Sequence, residues 1–176
     1  MRNEPGYTRF PKVPIQRRAA AFLIDFVAVW LVTSLLGGNT ASQVLVFTVA
    51  WSLLRVVLVA QNQGQSLGRY ALDMKVVNAN YGKTPGFVDL AKREGITGFA
   101  SLLALLGIKI GLRNGVSLLL LAAPLVADFG VAAIDSSLQQ ALHDRLAQTL
   151  VVATRRGFSL DLRIKKWVAQ ATRSMK

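Results

Sequence analysis

Long apolar stretches separated by short polar segments dominate the chain, and they predict membrane-spanning helices. The four stretches cover about residues 19–36, 41–60, 95–111 and 116–134. At a rise of about 1.5 Å per residue, each is roughly long enough to cross the hydrocarbon core of a bilayer. Glycines and a proline interrupt the last two. We therefore predict four transmembrane helices, with two spans plus interfacial or re-entrant helices as the alternative.

Charged residues inside these apolar stretches are the first candidates for a functional site. On straight helices Asp25, Arg55 and Asp128 lie at depths of about 10, 8 and 9 Å from one membrane surface. They would form one layer with a net charge of −1, in which Arg55 neutralises only one aspartate. The layer is interpreted either as an internal salt bridge that fixes helix packing or as a site that handles protons or cations. In a third interpretation Arg55 extends to the membrane surface.

The distribution of basic residues predicts the orientation. They concentrate before the first stretch, in the loop between the second and third, and after the fourth. By the positive-inside rule, both termini and the middle loop are cytoplasmic, which agrees with an even number of spans. The pair Arg17-Arg18 resembles an export signal. However, residues 19–36 are too long for a signal peptide and lack a cleavage site, so this span is expected to remain.

Composition narrows the possible chemistry. Apolar residues make up 52% of the 176 residues and charged residues 17%. Cysteine is absent, which excludes disulfides and thiolate metal sites. The single histidine, His143, lacks suitable zinc ligands nearby and is interpreted as a cap or hydrogen-bonding partner of Asp144. No serine stands in a nucleophile motif. We predict no enzymatic activity, no cofactor and no metal.

The middle loop begins with a glycine-rich motif. Its characteristic residues are Gly64, Gln65, Gly68 and Arg69. It lacks the lysine and hydroxyl pair of a phosphate-binding loop, so it is interpreted as a turn and juxtamembrane cap. Short strands are predicted at Asp73–Asn78 and Thr149–Thr154, where they could pair on the cytoplasmic face. A short amphipathic helix, Gly86–Arg93, is expected to lead into the third span.

Several of these features, taken in order, resemble the RDD family of bacterial membrane proteins. They are Arg18 at the head of the first span, Asp25 within it, the glycine-rich motif, and Leu142-His143-Asp144-Arg145 before a valine-rich strand. The family is named after an arginine and two aspartates, and the resemblance assigns these roles to Arg18, Asp25 and Asp144. It implies a multi-pass protein of a bacterial cell membrane or internal membrane. Exchange of sodium or other cations for protons is the activity considered for some members.

The two tails differ from the membrane region. Residues 1–16 contain prolines and are expected to be extended. Residues 155–176 show apolar positions at helical spacing among basic ones, which predicts an amphipathic helix. Its membrane-facing candidates are Arg163, Lys165, Lys166 and Trp167. Anionic lipid headgroups or a protein partner, rather than nucleic acid, are its expected ligands.

The sequence thus predicts an all-α membrane protein with a small cytoplasmic β-hairpin-like element and a C-terminal amphipathic helix. Residues 17–154 form its transmembrane domain. The expected function is that of a non-enzymatic accessory or assembly subunit that binds a larger membrane protein complex. The alternative is a cation/proton exchanger that uses Asp25, Asp128 and Arg55.

Overall fold

The computed structural model describes residues 13–111, 115–135, 139–154, 159–160 and 170. Most of this part of the chain is helical. The long helices are α1 (Ile15–Leu36), α2 (Thr40–Ser52), α5 (Phe87–Gly111) and α6 (Gly115–Ile134). The shorter elements are a π-helical segment (Leu53–Val57), α3 (Leu58–Gln61), α4 (Leu67–Ala71), α7 (Leu142–Leu146), β1 (Met74–Asn78) and β2 (Thr149–Ala153).

Three helical stretches in the described part of the chain are long and apolar enough to cross a membrane. They are α1, α6 and the continuous rod Thr40–Gln61, which comprises α2, the π-helical segment and α3. The prediction of four spans is therefore supported for three. The remaining predicted span, residues 95–111, belongs to α5. This is one helix from Phe87 to Gly111 rather than an amphipathic helix followed by a span. Its first two turns carry charged side chains, so its apolar part is shorter than the helix.

A tight turn joins α1 to α2, and a capping box holds it. The Asn39 side chain accepts a hydrogen bond from the Ser42 backbone N–H at 2.8 Å. The Ser42 hydroxyl in turn accepts one from the Asn39 N–H at 2.9 Å. Both bonds satisfy donors that a helix start leaves without partners, so the rod Thr40–Gln61 begins cleanly and returns beside α1.

A π-helical segment interrupts the rod at Leu53–Val57. The Leu58 N–H bonds to the Leu53 carbonyl, five residues back instead of four. The wider turn accommodates an extra residue and changes the direction of nearby side chains, a feature often found at functional sites. Arg55 lies in this segment and is only 3% exposed, so it does not extend to the surface.

The two strands pair in antiparallel fashion, with Val76 opposite Val151, which confirms the predicted pairing. Met74 of this two-stranded sheet packs with Val13 and Ala21 at the start of α1. The two-stranded sheet is thereby attached to the same end of α1 that carries Arg18.

An aromatic core joins the long helices. Phe22 of α1 contacts Trp51 of the rod and Phe129 of α6, with ring centroids 6.0 and 5.0 Å apart. Leu105 of α5 completes the cluster. This core lies directly beside the charged residues described below.

Two predictions fall outside the described residues. The N-terminal tail lies there up to residue 12, and so do Arg163, Lys165, Lys166 and Trp167 of the predicted C-terminal helix.

Candidate functional site

Asp25 is the centre of a buried cluster of charged side chains. It is fully buried on α1. One carboxylate oxygen accepts hydrogen bonds from Arg55 Nη1 and Ser66 Oγ, each at 2.6 Å. The other accepts from the Gly68 backbone N–H at 2.8 Å. The carboxylate therefore has three donors, one of them cationic, as a buried charge requires.

The glycine-rich motif folds as it does because two glycines permit close backbone contacts. Gly64 has φ of +87°, and a Cβ there would lie 2.3 Å from the Val76 carbonyl oxygen. A Cβ on Gly68 would lie 2.0 Å from the Ala21 carbonyl oxygen. With no side chain at Gly68, the first turn of α4 rests directly on α1, within reach of Asp25.

The remaining side chains of the motif anchor it on both sides. Gln65 Nε2 donates to the Met74 carbonyl at 2.9 Å and so binds the motif to β1. The Ser66 hydroxyl, which donates to Asp25, also accepts from the Arg69 N–H at the start of α4. The glycine-rich motif, predicted as a turn and cap, therefore connects α1 to the two-stranded sheet: Ser66 and Gly68 bind Asp25, and Gln65 binds β1.

Glu94 of α5 extends the cluster. It accepts hydrogen bonds from Arg55 Nε and Arg69 Nη2, each at 2.9 Å, and pairs with Arg93. The Thr97 hydroxyl donates to it at 3.0 Å. Arg55 thus bridges Asp25 and Glu94, and its guanidinium carbon also lies 5.1 Å from the Trp51 ring centre. The predicted layer had not included Glu94.

Asp144 connects the other end of the cluster. It pairs with Arg18 and, at 2.9 Å, with Arg93. Burial alone would raise the pKa of Asp144, but Arg93, His143 and Arg18 hold it well below the usual value. The chain of contacts Arg18–Asp144–Arg93–Glu94–Arg55–Asp25 therefore unites the three residues to which the sequence resemblance assigned the signature roles, Arg18, Asp25 and Asp144.

Asp128 belongs to the same cluster, but its partner is His143 and not Arg55, because α7 brings the histidine against α6. Asp128 accepts from the His143 backbone N–H at 3.0 Å and contacts Nδ1 of the ring. His143 Nε2 lies 3.1 Å from Arg93 Nη2, which can only donate. The ring therefore lies between the Asp128 carboxylate and the Arg93 guanidinium, and its Nε2 is also 3.4 Å from Asp144 Oδ1.

The charge balance also differs from the predicted −1. Within the described residues, the cluster contains four arginines and four carboxylates, and it is neutral when His143 is neutral. We call these nine residues the charge network: Arg18, Arg55, Arg69, Arg93, Asp25, Glu94, Asp128, Asp144 and His143. Each of its four carboxylates contacts an arginine or His143, which suits a packing role better than titration during turnover.

Sequence reasoning missed the contribution of α5. Arg93 and Glu94 stand where the predicted amphipathic helix Gly86–Arg93 meets the third span, and neither was expected to be buried. The available signal was a polar, small-residue face at helical spacing, because Leu90, Arg93, Thr97 and Ser101 all lie on the buried side of α5.

The described residues contain no group of three histidine or acidic side chains that could hold a metal ion. They instead define a helical membrane protein with a buried ionic network. The chain belongs to the RDD family, whose model matches residues 12–148, and the predicted resemblance is confirmed. No match was found among curated proteins or among solved structures.

Proposed function

We propose that this protein is a non-enzymatic accessory or assembly subunit of a larger membrane protein complex, with the charge network as its internal clamp. The observation that carries the proposal is the pairing of the buried carboxylates of the network. Asp25, Glu94 and Asp144 are each fully buried and each contacts at least one arginine. Breaking such pairs costs several kcal/mol, so they favour a fixed scaffold over a cycle of ion binding and release.

A groove between the rod and α5 is the proposed docking surface for a partner helix. It encloses a volume of about 340 Å³ between Trp51 and Val56 on one side and Phe99 on the other. Gly95 and Gly98 form part of its floor. Small residues let helix backbones approach closely in membranes, where packing rather than the hydrophobic effect drives association.

Gly95 offers a direct test. A Cβ at Gly95 meets no atom within 4 Å, so the side chain of Gly95→Leu begins in open space at the groove. Gly130→Leu is the matched control, because Gly130 of α6 is equally open and lies outside the groove. After gentle-detergent purification and mass identification, we expect Gly95→Leu to lose the partner complex that wild type and Gly130→Leu retain. Retention by Gly95→Leu would contradict docking in the groove.

The basic C-terminal segment is proposed as a second attachment to anionic lipid headgroups or to the same partner. This proposal rests on Arg163, Lys165, Lys166 and Trp167 in the sequence. Deletion of residues 158–176 is expected to weaken co-purification of the complex. An unchanged yield of the complex would contradict a role for the segment in binding.

Cation/proton exchange is the second candidate function, and the Asp128–His143 pair favours it. A carboxylate in contact with a histidine can hold or release a proton near neutral pH. Everted vesicles that contain the purified protein test it directly. We expect them to dissipate a pH gradient no faster than empty vesicles when cations are added. Exchange that is lost in Asp25→Asn and Asp128→Asn would reverse the ranking of the two functions.

We further infer that both termini and the loop between the rod and α5 face the cytoplasm. This inference rests on the excess of basic residues in these segments. The native chain has no cysteine, so Gly38→Cys and Asn80→Cys, both at exposed turns, can be labelled singly. An impermeant thiol reagent on whole cells is expected to label position 38 and spare position 80. The reverse pattern would overturn the orientation.

A further inference from the structure

A small cavity lies inside the charge network, and cationic side chains form its polar walls. It has a volume of about 20 Å³. Within the described part of the chain, four arginines and His143 line it, while Asp25, Glu94 and Asp144 do not. The rest of the wall is mostly apolar, with Phe22, Met74 and Val151 among its residues. The carboxylates thus hold the arginines in place from outside the cavity.

Arg69, one of the residues that line the cavity, has a guanidinium nitrogen to which no described residue bonds. Arg69 Nη2 donates to Glu94 at 2.9 Å, but Nη1 is buried and makes no hydrogen bond to any described residue. Burial, together with the neighbouring Arg55 and Arg93, lowers the pKa of Arg69 to about 9. A buried donor on a positive side chain is costly without an acceptor, so the site calls for a negative or strongly accepting occupant.

We propose that this cavity binds one small monovalent anion of the size of chloride, with Arg69 as its principal ligand. Guanidinium groups present only donors, and an anion accepts from all of them.

The size of the cavity limits the occupant. One water molecule needs roughly 10–15 Å³ of such space, so about 20 Å³ accommodates a single particle of water or chloride size. A phosphate, whether free or on a lipid headgroup, carries four oxygens and does not fit. The proposal therefore concerns a monatomic anion and is independent of the accessory function proposed above.

The test measures the thermal midpoint of the purified full-length protein in chloride, bromide, phosphate and gluconate at matched ionic strength. Arg69→Lys keeps the charge but removes the planar fork, and Arg145→Lys on the exposed side of α7 is the matched control. Val151→Leu enlarges an apolar side chain of the cavity wall and replaces no member of the charge network. Bromide also gives an anomalous X-ray signal that locates it in crystals.

We expect a saturable rise of the midpoint with chloride and bromide, and none with phosphate or gluconate. The chloride affinity should fall at least tenfold in Arg69→Lys and Val151→Leu and stay unchanged in Arg145→Lys. If Arg69→Lys does not fold, the chloride affinity of Val151→Leu tests the proposal. Equal midpoints in chloride and gluconate would mean that the cavity holds water only. An unchanged chloride response in Val151→Leu, or stabilisation by phosphate, would also overturn the proposal.

Discussion

Replacing Asp25 by asparagine tests whether the charge network holds the fold together. Asparagine has the same shape but only one acceptor oxygen. If that oxygen faces Gly68, the amide NH₂ points its hydrogens at the Arg55 guanidinium. If it faces Arg55, the NH₂ meets the Gly68 N–H. Either orientation places two donors against each other in a fully buried position.

The expected loss follows from these contacts. Removing one partner of a buried ion pair typically costs about 3–5 kcal/mol. Arg55 retains Glu94 as a partner at 2.9 Å, so the cost should lie at the lower end, about 3 kcal/mol. Asp135→Asn is the control. Its partner Arg145 is 50% exposed, and such surface pairs contribute about 0–1 kcal/mol.

Unfolding in mixed detergent micelles, followed by far-ultraviolet circular dichroism, gives the free energies. Asp25→Asn and Arg55→Leu are measured singly and together. Because the two side chains are in direct contact, we expect the double variant to be less destabilised than the sum of the singles by at least about 1 kcal/mol. Additive losses, or a loss below about 1 kcal/mol in Asp25→Asn, would refute the reasoning.

Three further predictions concern the surroundings of Asp25 and the opposite end of the network. Gly68→Ala should destabilise by about 1–3 kcal/mol, because its Cβ would lie 2.0 Å from the Ala21 carbonyl oxygen, whereas Gly130→Ala in open space should be neutral or stabilising. Arg18→Lys should lose about 1.5–3 kcal/mol, because lysine cannot reproduce the two bonds that the arginine fork makes. The lowered pKa of Asp144 means that the unfolded chain takes up a proton first as the pH falls, so this stabilisation is present above about pH 4 and is lost below it. A thermal midpoint that does not fall between pH 5 and pH 3 would contradict the last prediction.

Features that rest on long-range apolar patterns were accessible from the sequence. The α1 and rod spans follow from long apolar stretches that contain a single charged residue each, and the pairing of β1 with β2 follows from two valine-rich runs bounded by turns. The contact between Asp25 and Arg55 followed from matching depth estimates on antiparallel helices. In each case the apolar pattern along the chain, or a depth estimated from it, was enough for the prediction.

Features that depend on which side of a helix faces inward were not accessible. The depth of Asp128 was similar to that of Arg55, but depth does not specify rotation about the helix axis, and its partner is His143. Glu94 was hidden in a run of charged residues that only the continuation of α5 buries. The cavity beside Arg69 can be recognised only from the positions of the side chains, which the pattern of residues along the sequence does not give.

The sequence separations within the network impose an order on biosynthesis. The donors to Asp25 lie 30, 41 and 43 residues downstream, and Arg18 pairs with Asp144 across 126 residues. During synthesis α1 therefore leaves the ribosome before the partners of its carboxylate, and inserting an unpaired charge at the centre of a helix costs about 2.5–3.5 kcal/mol. Insertion of α1 and the rod as one helical hairpin supplies the missing arginine. Arg18 can pair with Asp144 only after α7 has been synthesised. A chain that is interrupted earlier therefore lacks this ion pair.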